Sequence, residues 1–457
     1  MSIEKIRYFW PNFIMQLVPS YKKIWQISFP IFLSMLAQNI IIVVDTAFLG
    51  RVGETELGAS AIGGVFYMCL YIIGFGFGIG SQIIIGRRNG EKNFQKTGEI
   101  FDHSILFLIL LAVFFFSITR LTYADALERI LKSPDIFQAG KDYLDIRLWG
   151  LLFAYVNTAF RAFYIGIIKT KFISYSAIIM ALVNIALDYL LIFGHFGFPE
   201  MGIRGAALAS VIAEGASVVF FFIITFWKTD LNKYSLFRFS LIRLQTIKSI
   251  LDLALYIMLQ FFLSVLSWFF FFLIIEQTGE RPIAVSNIIR SLYMVLTIPI
   301  WGLGAATNTI VSNMMGENKI EGIVPTIIRI SKICFFSILG VIAITYLFAW
   351  DIISFYTNNV SLINDTIDSL YVILGVLGIF SFSIVIFNGV TGTANTKTSL
   401  VIEVIAIIIY LALTWYIAID LGLPVKYIWA TEFAYFLILG LLSVFYFRKG
   451  TWMKKEI

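Results

Sequence analysis

Charge, cysteine and histidine are all scarce in this chain. Of its 457 residues, 14% are Asp, Glu, Lys or Arg, against roughly 25% in soluble domains. Cys69 and Cys334 both sit in apolar runs, which reads as core packing and excludes a disulfide framework or a thiolate metal site. His103 and His195 are far apart and make no metal-ligand pattern. Neither histidine has an acidic partner at useful spacing and no nucleophile motif occurs, so enzyme chemistry has no foothold. A cleavable signal peptide is not expected, because the first apolar stretch starts near Ile24 and runs too long, without a small-residue cleavage site.

What is abundant is apolar surface. Hydrophobic residues make up 59% of the chain and aromatics 17%, more than a soluble protein can keep in water. A bilayer core takes about 20 helical residues to cross. The apolar runs predict twelve transmembrane spans, at about 24–49, 60–86, 99–120, 146–168, 172–194, 203–227, 249–275, 283–313, 327–349, 368–393, 399–421 and 427–447. The expected fold class is therefore all-α and integral to the membrane. Residues 1–20 mix Lys5 and Arg7 with Phe9, Trp10 and Phe13, which suits a short helix lying in the interface.

Lys and Arg cluster on alternate connections: Lys22 and Lys23, Arg87 and Arg88 with Lys92, the 228–248 linker, and the tail 448–457. The positive-inside rule then puts both termini in the cytoplasm. The net charge of +6 reflects topology and anionic lipid rather than nucleic-acid binding.

The linker divides the chain into lobes of six spans each, 21–227 and 249–447. Sliding the sequence on itself by 226 residues sets Gly76-Phe77-Gly78-Ile79-Gly80-Ser81-Gln82 on Gly302-Leu303-Gly304-Ala305-Ala306-Thr307-Asn308. The same register sets Gly90-Glu91 on Gly316-Glu317 and Thr170-Lys171 on Thr396-Lys397. A shift of six spans keeps the topology, so the lobes are parallel repeats about a pseudo-twofold axis along the membrane normal.

Charges inside spans are costly and mark function by default. Asp45, in span 1, lies five residues before Gly50, and Asp188, in span 5, seven before His195; these are roughly 7 Å and 10 Å of helix rise. Both acids thus sit at comparable depth on the same side. Asn184 shares a helix face with Asp188, and Ser34, Gln38 and Asp45 form one stripe. Such a set holds Na⁺ through oxygen ligands, or a buried carboxyl pair binds a proton; the residues leave both open. In the repeat register Asp45 faces Phe271, Gln38 faces Ser264, Asn184 faces Tyr410 and Asp188 faces Thr414. A scaffold requirement should recur in both lobes; this polar set occurs in one. Arg161, Arg290, Glu214, Glu403 and Glu432 also fall within spans, with no role assigned by spacing. Pro30 removes a backbone hydrogen bond within span 1 and favours a bend.

Pro30, Gln38 and Asp45 followed by Leu49-Gly50-Arg51-Val52-Gly53, then Asn184-x-x-x-Asp188 and Gly202-Ile203-Arg204-Gly205-Ala206-Ala207, together resemble the multidrug and toxic compound extrusion (MATE) family over nearly the whole chain. The likeness is to its prokaryotic DinF-like branch, since the NorM-like branch is expected to carry acids in spans 7 and 10. Here span 7 is uncharged from Leu253 to Ile275 and span 10 offers Asn388. The resemblance implies two lobes around a V-shaped central cavity, and an antiporter in a bacterial or archaeal cytoplasmic membrane that exports amphipathic, often cationic, drugs. It needs no cofactor beyond the coupling H⁺ or Na⁺, meets drugs and lipids as partners, and is expected to be a monomer. By position it assigns Asp45, Asn184 and Asp188 to coupling, with a span-6 hydroxyl from Ser210 or Ser217. Gln38, Tyr143 and Asn157 fall on the lobe's cavity and Pro30 on a hinge. Arg161 departs from the pattern, standing where a neutral polar residue is expected; a cation there disfavours cationic drugs or pairs with an Asp. The alternatives are a lipid-linked oligosaccharide flippase of the same superfamily and, from another class, a membrane enzyme or receptor.

Overall fold

The computed structural model describes residues 17–239 and 243–454. The expected interfacial segment lies almost wholly outside these residues. Among the described residues there is no strand, and the helices follow one another along the chain. They are α1 (Tyr21–Val52), α2 (Glu54–Gly90), α3 (Phe94–Ile130), α4 (Pro134–Arg147), α5 (Gly150–Gly166), α6 (Lys171–Phe193), α7 (Gly202–Lys228) and α8 (Leu231–Tyr234). After the linker come α9 (Leu244–Glu276), α10 (Glu280–Leu296), α11 (Ile298–Gly316), α12 (Ile323–Leu347), α13 (Ala349–Ser354), α14 (Val360–Gly392), α15 (Thr396–Trp415), α16 (Val425–Trp429) and α17 (Thr431–Lys449).

Ten stretches of the described chain are helical, long and apolar enough to cross a membrane, and the α10–α11 pair makes an eleventh. The expected span at 146–168 appears as α5, only 17 residues long, with the more polar α4 running up to it. Span 8, expected unbroken, is bent by 46° between α10 and α11. Pro299 in the first turn of α11 cannot donate to Val295 C=O. Thr297, at the break, turns its hydroxyl back to Tyr293 O at 2.8 Å. Across Pro30, by contrast, α1 continues as one helix.

The chain forms two compact units that divide inside helices rather than in the linker. One runs from Leu33 to Met258; the other holds the residues up to Phe32 and those from Leu259 onward. In the Leu33–Met258 unit the linker is pinned down. The Asp102 carboxylate accepts from Phe237 N at 2.9 Å and Arg238 N at 2.8 Å, and His103 Nε2 accepts from Arg243 N at 2.9 Å.

Small residues let this unit's helices touch at backbone distance. A Cβ on Gly205 of α7 would lie 2.6 Å from Leu191 O of α6. Gly74 and Gly78 of α2 meet Tyr155 and Thr158 of α5, while Gly76 and Gly80 meet Met258 and Ala254 of α9. Alternate glycines therefore serve two different neighbours. The closeness of α6 and α7 is what brings a hydroxyl of α7 up to the polar residues of α6.

Candidate coupling and substrate site

Asp45 and Asp188 meet. The two carboxyl groups, one from α1 and one from α6, lie within hydrogen-bonding reach of each other. Asp188 and Asn184 are fully buried. Asn184 Nδ2 donates to Ser210 Oγ of α7 at 3.5 Å, so α1, α6 and α7 each contribute a group. Four buried oxygens of this cluster, Asp45 Oδ1, both Asp188 Oδ atoms and Asn184 Oδ1, have no hydrogen-bond donor among the described residues. Leaving a buried acceptor unmet costs about 1–3 kcal/mol, and more for a charged one. The donor set is all oxygen, the chemistry of a hard cation or a shared proton. No group of three or more His, Cys, Asp or Glu that could hold a metal occurs among the described residues.

The resemblance offers Ser210 or Ser217 for the α7 hydroxyl, and the geometry separates them. Ser217 accepts from Ser176 Oγ at 2.5 Å and donates to Asn157 Oδ1 at 2.9 Å. Asn157 Nδ2 donates to Glu214 O at 3.0 Å. Asn157 thus ties α5 to α7 with both ends of its amide engaged. Tyr143 packs against Gly63, with its hydroxyl beside Arg147. Gln38 is half-buried two turns before Asp45 and makes no side-chain hydrogen bond to a described residue.

One buried ion pair escaped the sequence reading. Arg147, the last residue of α4, clamps Glu214 of α7: Nη1 donates to Oε2 at 3.0 Å and Nη2 to Oε1 at 2.6 Å. Tyr67 of α2 donates to the same carboxylate at 3.2 Å, and its ring lies under the guanidinium at 3.7 Å. Gly150 sits against both ionic groups, where a Cβ would strike them. Arg147 was hidden because it falls at the edge of a predicted span, where loop cations are expected. The usable signal was Glu214, since an acid deep in a span requires a cation.

Arg161, on α5, is half-buried. It forms no ion pair or hydrogen bond with any described residue, so the expected alternative of an Asp partner is not what the structure holds. In the other unit, Glu403 and Glu432 are buried. Glu403 Oε1 accepts from Ser264 at 2.7 Å and Tyr435 at 2.6 Å, and Glu432 Oε1 accepts from Tyr410 at 3.0 Å. Arg290 is exposed, over the Phe272 ring at 5.2 Å.

The MatE family model matches the chain twice, at residues 30–190 and 257–416, together well over half its length. The chain belongs to the MatE family. A double match is what a duplicated six-span unit produces, and the two matches start almost one repeat shift apart. The MatE family is one of secondary transporters, and this member is a multi-pass membrane protein.

Curated relatives include the probable multidrug resistance protein NorM of Thermotoga maritima, 24% identical over 456 residues, covering 95% of this chain and 94% of that one. The probable multidrug resistance protein YoeA of Bacillus subtilis is 24% identical over 448 residues, covering 94% and 93%. Among solved structures, an outward-facing multidrug resistance MATE transporter of the MOP superfamily superposes with a TM-score of 0.87 at 21% identity, covering 95% and 97%. A MOP superfamily transporter from Pyrococcus furiosus, described as having a binding pocket of reversed polarity, does so at 0.86 and 21%, covering 97% and 99%. At such identities the structural likeness speaks for the fold.

Proposed function

We propose that this MatE protein is an antiporter that exports amphipathic organic compounds in exchange for H⁺ or Na⁺, coupled at Asp45, Asp188, Asn184 and Ser210. One observation carries this reading: a facing carboxyl pair inside the Leu33–Met258 unit, three of whose oxygens, with that of Asn184, lack protein donors. The names of the relatives, multidrug resistance proteins, support the substrate class. The cation arrives as a substrate. It neutralises the pair and favours whichever conformation binds it more tightly, the only way a ligand moves such an equilibrium. Asn184 orients beside the pair through Ser210. Gln38 and Tyr143 offer polar contacts to the exported compound, and Pro30 supplies the weak point in α1 where a bend costs least.

The protein acts as a monomer in a prokaryotic cytoplasmic membrane, with both termini in the cytoplasm. Dye export from proteoliposomes tests this, with a Na⁺ gradient and a pH gradient imposed separately. Wild type is expected to export under one gradient and Asp45→Asn under neither. Undiminished export by Asp45→Asn would sink the coupling assignment.

A further inference from the structure

Two arginines lie fourteen residues apart on α4 and α5, and the protein treats them differently. Arg147 has its charge closed by a bidentate carboxylate and its face covered by Tyr67. Arg161 has neither: no described side chain bonds it. The ionisable group beside it is the phenol of Tyr71, which reaches Thr158 and stacks obliquely with Phe75 at 5.8 Å between ring centres. Of the unit's acids within spans, Glu214 pairs with Arg147, and Asp45 and Asp188 face each other rather than Arg161. On the same face of α5, one turn earlier, Asn157 has both ends of its amide spent on α7. Arg161 is therefore a charged group on this face with all its donors unspent on described residues.

An uncompensated guanidinium in a transmembrane helix is costly, and its planar fork fits a carboxylate in a two-point contact that an ammonium cannot copy. We infer that Arg161 binds the carboxylate of the exported compound, so the substrates are amphipathic organic acids or zwitterions rather than simple lipophilic cations. Tyr71 and Phe75 supply the aromatic wall for the apolar body. This inference rests on the exporter reading and narrows it.

Rhodamine 110 and rhodamine 123 make the test, because they differ only by a free carboxylate against its methyl ester. Binding to the purified full-length protein in lipid nanodiscs is read by fluorescence polarisation, with protein-free discs subtracted. Wild type is expected to bind rhodamine 110 at least tenfold more tightly than rhodamine 123. Arg161→Gln should bring the two affinities within about twofold by weakening the acid alone, and Arg161→Lys should keep part of the preference. Equal or tighter binding of the ester by wild type, a measurement that needs no variant, overturns the inference; so does a tenfold preference surviving in Arg161→Gln. Gradient-driven export of rhodamine 123 with no preference for the acid defeats the Arg161 assignment but leaves the exporter reading standing. A tenfold binding preference with no export of either dye under either gradient supports Arg161 and counts against the exporter reading.

Discussion

In the Leu33–Met258 unit, Asp45 and Asp188 face each other with three of their oxygens lacking a protein donor. In the other unit, Glu403 and Glu432 are just as buried, yet each accepts from hydroxyls: Ser264 and Tyr435 for one, Tyr410 for the other. Ser264 and Tyr410 are the residues that the repeat register sets opposite Gln38 and Asn184. Where one repeat keeps an amide beside an unsatisfied acid, its twin has a hydroxyl that satisfies one. Thr414, opposite Asp188, spends its own hydroxyl on Tyr410 O at 2.8 Å and on Thr431. The two repeats thus carry different polar sets, and in one of them hydroxyls donate to the buried acids. A carboxyl that already accepts from neutral donors has less to offer a cation than one that accepts from none.

The sharpest way to break this contrast is to remove charge without changing shape. Asp188→Asn should reduce gradient-driven dye export to the level of empty liposomes while the protein still folds, as judged by gel filtration. Next in size is a stability effect. Arg147→Gln leaves Glu214 buried without its cation, which should cost about 3–5 kcal/mol, read as a lower thermal transition in detergent. The double change Arg147→Gln/Glu214→Gln should recover most of that loss. If Arg147→Gln abolishes coupling at unchanged stability, the ion pair belongs to the transport cycle and not to the scaffold.

Glu403→Gln should be milder. An amide still accepts from Ser264 and Tyr435, so export is expected to stay within a few-fold of wild type, with about 1 kcal/mol of stability lost. Loss of export equal to that of Asp188→Asn would erase the distinction between the units. The smallest effect belongs to Ser210→Ala. Removing one long hydrogen bond to Asn184 should weaken the coupling cation's apparent affinity by roughly three- to tenfold, about 1 kcal/mol, seen as a shifted Na⁺ or pH dependence of export.

Much of this was legible in the chain. Spans and repeat followed from apolar runs and one self-alignment register, and Asp45, Asn184 and Asp188 stood out as polar groups in otherwise apolar segments. What stayed hidden depended on contacts between distant segments. Ser210 and Ser217 lie two turns apart on α7, and only the approach of α6 at Gly205 shows which one reaches Asn184. Arg147 looked like a loop cation until α7 placed Glu214 against it. Pro299 was visible, but the hydropathy of span 8 runs unbroken across it and masked the bend. The compact units divide after Phe32 and after Met258, inside α1 and α9.

Difference infrared spectroscopy tests the central claim most directly, through the carbonyl stretch of protonated carboxyl groups as Na⁺ or pH is changed over the purified protein. The account predicts a cation-dependent carboxyl band in wild type that persists in Glu403→Gln/Glu432→Gln and vanishes in Asp45→Asn/Asp188→Asn. A band that survives in the aspartate variant and disappears in the glutamate variant would place the coupling chemistry in the other unit and contradict the account.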